Sequence, residues 1–186
     1  MLDAATGLEL PTQNDILMLS LKRVRAADRR RTAVHEAGHY VMAQHHGCLV
    51  FGVRIWPNDH SDLVGETTWL GHCQLNWWQA SLKIRRLIAV AGVAAVSIWN
   101  RDLCGDDLDW CDPDITSESD WRLAGCTPGE PTKHFLSAVD KAFAMFSPDG
   151  ELWPKVLSKS RELIVHSRTT QRISIGERFE EFPAER

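Results

Sequence analysis

A mainly α-helical fold with one small antiparallel β-hairpin is what the sequence predicts. Three observations lead there. Most of residues 14–167 falls into runs whose apolar side chains recur at helical spacing. Two neighbouring segments, residues 48–56 and 63–71, are instead rich in β-branched and aromatic residues and bounded by turn residues. No repeat or low-complexity block interrupts the pattern, and 186 residues suffice for one domain with a real core but not for two large ones.

The elements follow in order. Residues 1–12 read as a loose tail ending near Pro11. A first helix occupies "NDILMLSLKRVRAA", with Asn14 or Asp15 as its N-cap. Asp28 is placed to cap a second helix, "RRRTAVHEAGHYVMAQHH", which Gly47 can end in the left-handed conformation. "CLVFGVRIW" forms a strand that stops at Pro57, and "LVGETTWLG" forms its partner. A buried helix spans residues 77–100. An aspartate-rich loop, residues 101–114, leads to a short helix in "ITSESDWRLAG" that Gly125 terminates. The helix "TKHFLSAVDKAFAMF" follows, and Pro148 opens the last one, to about Ser167. The organisation predicted is a single domain over residues 13–168 and a charged tail over 169–186.

Composition narrows the function. Charges are plentiful and nearly balanced, with a net charge of −4, which argues against nucleic acid or an anionic membrane as the main partner. "DRRRT" at residues 28–32 reads as a solvated first turn. No apolar run approaches the roughly 20 residues of a membrane span. The N-terminus lacks the basic and apolar regions of a secretory signal, so a cytoplasmic location is expected. The five cysteines are scattered and form no CxxC pair, so reduced buried thiols are expected.

The chemistry concentrates in "TAVHEAGHYVMAQHHG", residues 32–47, which contains His35-Glu36-Ala37-Gly38-His39. Residues four apart lie on one helical face, so His35 and His39 can direct two imidazole nitrogens at one metal ion. Glu36 sits about a quarter turn away, close enough to reach a water on the metal without becoming a ligand. Zinc with three protein ligands makes that water acidic near neutral pH, and a carboxylate can take its proton as it attacks a peptide carbonyl. Gly38 weakens the helix by roughly 1 kcal/mol relative to alanine, which is understandable where another backbone comes close.

The residues alone leave the third ligand open. His45 holds the position of a third metzincin histidine, but Met42 stands where that pattern needs glycine. A helix that continues carries His45 about 9 Å along the axis and onto another face. His45 and His46 therefore read as a polar helix end, where imidazolium suits the macrodipole. His60, His72 and the acids of "DDLDWCDPDITSESDWRLAG" remain candidates. Ser117-x-x-Asp120 also reads as a capping box.

Here the sequence resembles the peptidase domain of the FtsH-type metallopeptidases. "TAVHEAGHYVMAQ" is similar to that family's zinc-binding helix. "VFGVRIWP" and "LVGETTWL" resemble its next two strands, the second of which borders the cleft. "VAGVAAVSIW" resembles its Ala-Gly-Arg-Ala-Ala-Glu-Glu helix. "TSESDWRLA" resembles its Gly-Ala-Ser-Asn-Asp-Leu-x-x-Ala segment, whose aspartate is the third zinc ligand and falls on Asp120. The likeness spans about residues 28–167.

The resemblance implies a zincin-like, zinc-dependent endopeptidase with His35, His39 and Asp120 as metal ligands and Glu36 as the catalytic base. Its substrate would be an unfolded polypeptide or peptide. The strand around Val64, Gly65, Glu66, Thr67 and Thr68 would bind that chain by strand addition. No AAA+ module or membrane anchor is recognisable, so ATP-independent action is expected, with a separate unfoldase or a homo-oligomer as possible partners. The family's arginine and glutamate pair are replaced by Val93, Val96 and Ser97. That departure sustains a second expectation, a metal-binding regulatory or interaction module with weak or no turnover.

Overall fold

The helix that carries the histidines is longer than the sequence predicts. α1 (Gln13–His45) runs unbroken through Asp28, in a computed structural model that describes residues 13–58, 68–76, 78, 80–104 and 116–173. Asp28 does not cap a second helix. Its Oδ2 accepts the Thr68 N–H at 2.5 Å, the Thr68 hydroxyl at 2.7 Å and the Trp69 N–H at 3.0 Å. The side chain satisfies main-chain donors about 40 positions downstream instead of those of its own helix. The far end behaves as predicted. Gly47 has φ +70°, Cys48 N–H donates to Ala43 O at 2.9 Å, and Gly47 N–H donates to Gln44 O at 3.1 Å. These two bonds form a Schellman stop.

The chain then turns into β1 (Val50–Pro57), which pairs antiparallel with β2 (Trp69–Leu75). Pro57 faces Trp69, Ile55 faces Gly71 and Val53 faces Cys73, with a bulge between Val50 and Gly52. β2 continues four residues past the predicted end at Gly71, and residues 59–67 lie outside the described residues. The alternation that defines β2 is Trp69, Gly71, Cys73 and Leu75 towards the protein, with Leu70, His72 and Gln74 exposed. His72, which the sequence places in or beside a loop, is a strand residue opposite Arg54.

α2 (Leu82–Cys104) is the central helix, with every residue from Leu87 to Ile98 buried. A helix that is apolar all round belongs in a core, and α2 is covered by α1, α3 (Glu118–Ala124) and α4 (Lys133–Met145). Ser117 caps α3 and Gly125, at φ +74°, ends it. Trp121 of α3 stacks on Phe135 of α4, with ring centroids 4.5 Å apart. α4 buries Phe135, Ala138, Val139 and Ala142, a stripe at helical spacing. The final helix, α5 (Trp153–Ile173), starts later than predicted. Ser147-Pro148-Asp149-Gly150 forms a turn closed by Gly150 N–H on Ser147 O at 2.7 Å. Proline second and glycine fourth are the turn's own preferences, so Pro148 bends the chain instead of opening a helix. α5 lies against α1, where Arg29 donates to Ser167 Oγ and to the Ile164 carbonyl. No described helix is long and apolar enough to cross a membrane.

The contact that positions the site is between α1 and α2. A Cβ at Gly38 would lie 2.5 Å from Ala91 O and 2.9 Å from Ala95 Cβ. The glycine in the histidine helix thus admits the α2 backbone, as the sequence suggests. Gly38→Ala should lower stability in urea unfolding by about 1–3 kcal/mol, since overpacking outweighs the roughly 1 kcal/mol gain in helix propensity. A stabilised variant would contradict this packing.

Candidate metal centre

Three ligand-type side chains converge from two helices. His35 and His39 project from one face of α1, and Asp120 enters from the first turn of α3. The Nε2 atoms of the two imidazoles are 2.9 Å apart. Asp120 Oδ2 lies 3.3 Å from His35 Nε2, and its Oδ1 lies 3.4 Å from His39 Nε2. A tetrahedral zinc with bonds of about 2.0–2.1 Å needs ligand atoms about 3.3–3.4 Å apart. The triad is therefore already near the spacing such an ion requires.

Neighbouring groups orient these side chains. His39 Nδ1 lies 2.7 Å from Ile88 O of α2, so an N–H at Nδ1 leaves Nε2 as the free donor atom. Ser117 Oγ accepts the Asp120 N–H at 3.2 Å and donates to Asp120 Oδ2 at 2.8 Å. The N-cap and the candidate ligand are thus one pair of residues: the cap fixes the helical turn that aims the carboxylate. Gly92 of α2 completes the cradle. A Cβ there would fall 2.5 Å from His39 Nε2 and 2.7 Å from His35 Nε2, in the space between the ligands and the central helix.

Glu36 stands beside the triad, only 6 % exposed. A Cβ at Gly71 of β2 would lie 2.4 Å from its Cγ and 2.5 Å from its Oε1, so a side chain there would push the carboxylate aside. Burial raises the Glu36 pKa, while His35 and His39 pull it down and Asp120 adds to the rise. For His39, burial opposes the charged form, but the charge and hydrogen bond of Asp120, with Glu36 and Ile88 O, prevail and push it up to about 9. Burial also disfavours the Asp120 charge, and the two imidazoles overcome it, holding the carboxyl well below the usual carboxylate range.

These groups open into a cleft of about 570 Å³, lined on one wall by Arg31, Thr32 and His35 and on the other by Trp69, Gly71 and Cys73. Asn58 N–H donates to Thr68 O at 2.9 Å. By the antiparallel alternation, Trp69, Gly71 and Cys73 then turn their main-chain groups away from β1. Trp69 follows this rule, with its N–H on Asp28 and its carbonyl accepting from Thr32 Oγ1 at 3.4 Å.

Of the residues singled out in the sequence, His35, Glu36, His39 and Asp120 come together here. Val64, Gly65, Glu66 and Thr67 lie outside the described residues, as do His60 and the loop acids at positions 106–114. Thr68 is placed just before β2, with its N–H and hydroxyl both held by Asp28. His72 lines the cleft but is not one of the three clustered ligands. His45 sits exposed at the end of α1 against His46, outside the cluster. The imidazolium expected at this helix end is not favoured at His46, whose pKa is lowered by burial and by His45. The sequence alone does not single out Gly71 and Gly92 as site residues. Their signal was a lone glycine inside a strand pattern and another inside an apolar helix.

The sequence matches no model of a known protein family, and no curated protein is similar to it.

Two outcomes follow from this geometry. Gly92→Ala should retain helical circular dichroism but lose zinc, read by elemental analysis after zinc loading and desalting; full occupancy would contradict the cradle. Metal-free, the pair has opposite linkages. The raised His39 contributes stability fully below pH 6.5 and loses it as pH rises through about 9. The lowered Asp120 contributes above pH 3.8 and loses it on acidification. A metal must displace the His39 proton, so zinc affinity measured against a chelating dye should climb by up to about tenfold per pH unit between pH 6.5 and 9. A flat profile would contradict the assignment.

Proposed function

We propose that this chain is a zinc-dependent endopeptidase of the FtsH type that cleaves unfolded polypeptides or peptides. The observation that carries the reading is the convergence of His35, His39 and Asp120 beside a buried Glu36, in a cleft walled by β2. The donor set suits zinc: two imidazoles and a carboxylate, with Nε2 of His39 freed by the Ile88 carbonyl.

Zinc held there would supply Lewis acidity, bringing a water's pKa to about 7 and polarising the peptide carbonyl. The remaining work falls to the protein. Glu36 takes the proton of the attacking water and returns it to the leaving amine. Its burial raises its pKa above the ordinary carboxylate value, which favours its taking up a proton. Gly71 keeps the carboxylate close under the strand. An extended substrate pairs with the outward main-chain groups of Gly71 and Cys73, since those of Trp69 are already held by Asp28 and Thr32. Main-chain pairing of this kind demands an unfolded segment.

One observation favours a second reading, a metal-binding module with little turnover. The positions of the resembled family's glutamate pair hold Val96, which lines the cleft, and Ser97, whose hydroxyl donates to Val93 O at 2.9 Å. Neither offers a carboxylate. Glu36→Gln separates the two readings. The wild type should degrade casein, and the variant should bind about one zinc per chain yet cleave at least about a hundredfold more slowly. A variant as active as wild type would refute the mechanism. A wild type that binds zinc and gains thermal stability, but hydrolyses nothing, would select the module.

A further inference from the structure

We propose that Arg31 makes this cleft selective for substrates with a carboxylate one or two residues from the scissile bond, an inference that rests on the peptidase reading of the same site. Arg31 precedes His35 by four positions, so it stands on the same face of α1, about 6 Å along the axis. It lines the cleft, and among the described lining residues it is the one lysine or arginine. Its side chain is 36 % exposed, within reach of an entering ligand.

What distinguishes Arg31 is how weakly it is engaged. Its ion pair with Asp28 runs from Nε to Oδ1 at 4.0 Å, beyond hydrogen-bond length. The other oxygen of Asp28 is occupied by Thr68 and Trp69. Among the described residues, no acceptor lies within hydrogen-bond distance of its terminal guanidinium nitrogens. That fork matches a carboxylate in a bidentate manner. The other charged groups of the cleft behave differently: Glu36 and Asp120 are buried beside the two histidines. A negative group on the ligand therefore meets attraction at the Arg31 end and repulsion near Glu36.

The distance sets the position. Thr32 Oγ1 contacts Trp69 O, so Arg31 lies beside the beginning of β2. A peptide lying along β2 advances about 3.3 Å per residue. The guanidinium then meets a residue one or two places from the bond above His35. The carboxylate can be that of an acidic side chain or the peptide's own C-terminus, which present the same chemistry.

Casein cleavage sites mapped by mass spectrometry would supply the parent peptides. Each is made with Glu, Gln or Lys at the position in question, and with a free or an amidated C-terminus. Two readouts are taken: kcat/KM with the zinc-loaded wild type, and peptide binding by zinc-loaded Glu36→Gln, which needs no turnover. We expect the carboxylate member of a pair to be favoured about tenfold in both. Arg31→Glu should invert the preference towards lysine, and Arg31→Lys should keep part of it. The amidated arm tells side chain from C-terminus. Equal handling of all pairs by the wild type, or an unchanged ratio in Arg31→Glu, overturns the inference and leaves the peptidase reading intact. If the wild type cleaves no casein and Glu36→Gln binds none of its fragments, both fall together.

Discussion

A buried carboxylate facing two imidazoles is the constraint on which this structure depends. Asp120 is 7 % exposed, and an isolated charge at that depth would be strongly disfavoured. It is tolerated because His35 and His39 stand 3.3 and 3.4 Å away and Ser117 donates to it. Each partner needs its own support. The imidazoles need α1 to stay helical through residue 39, and His39 needs the Ile88 carbonyl. The carboxylate needs the capped start of α3. Removing one member would leave the others as costly buried polar groups, so the cluster couples three elements into one unit.

That coupling explains the placement of small residues in otherwise well-filled helices and strands. Gly38 lets the α2 backbone reach α1, Gly92 leaves room in front of both imidazole nitrogens, and Gly71 lets β2 cross over Glu36. Each sits where any side chain would strike a backbone atom, an imidazole nitrogen or the buried carboxylate. The site is thus defined as much by absent methyl groups as by the polar residues themselves. Interiors pack too tightly for such space to arise without sequence positions that provide it.

Much of this is legible in the residues, and two of the three departures share a cause. The spacing of His35, Glu36 and His39, the stop at Gly47 and the cap-to-glycine span from Ser117 to Gly125 are local signals, and each has the expected local structure. Asp28 misled because its capping chemistry is real, but the donors it satisfies belong to Thr68 and Trp69. Gly71 resembled the end of a strand, although it is the residue that lets β2 continue past Glu36. Pro148 suits a helix start as well as the second position of a turn, and the Gly150 N–H bond to Ser147 O makes it the latter. In the first two cases the deciding contact is distant in sequence, and periodicity does not report such contacts.

X-ray absorption at the zinc edge of the zinc-loaded wild type reads out what His35, His39 and Asp120 hold. The expected result is two imidazoles at zinc, with oxygen from a carboxylate and solvent and no sulfur. A sulfur scatterer at about 2.3 Å, as Cys73 in the same cleft would give, or a single imidazole, would contradict it.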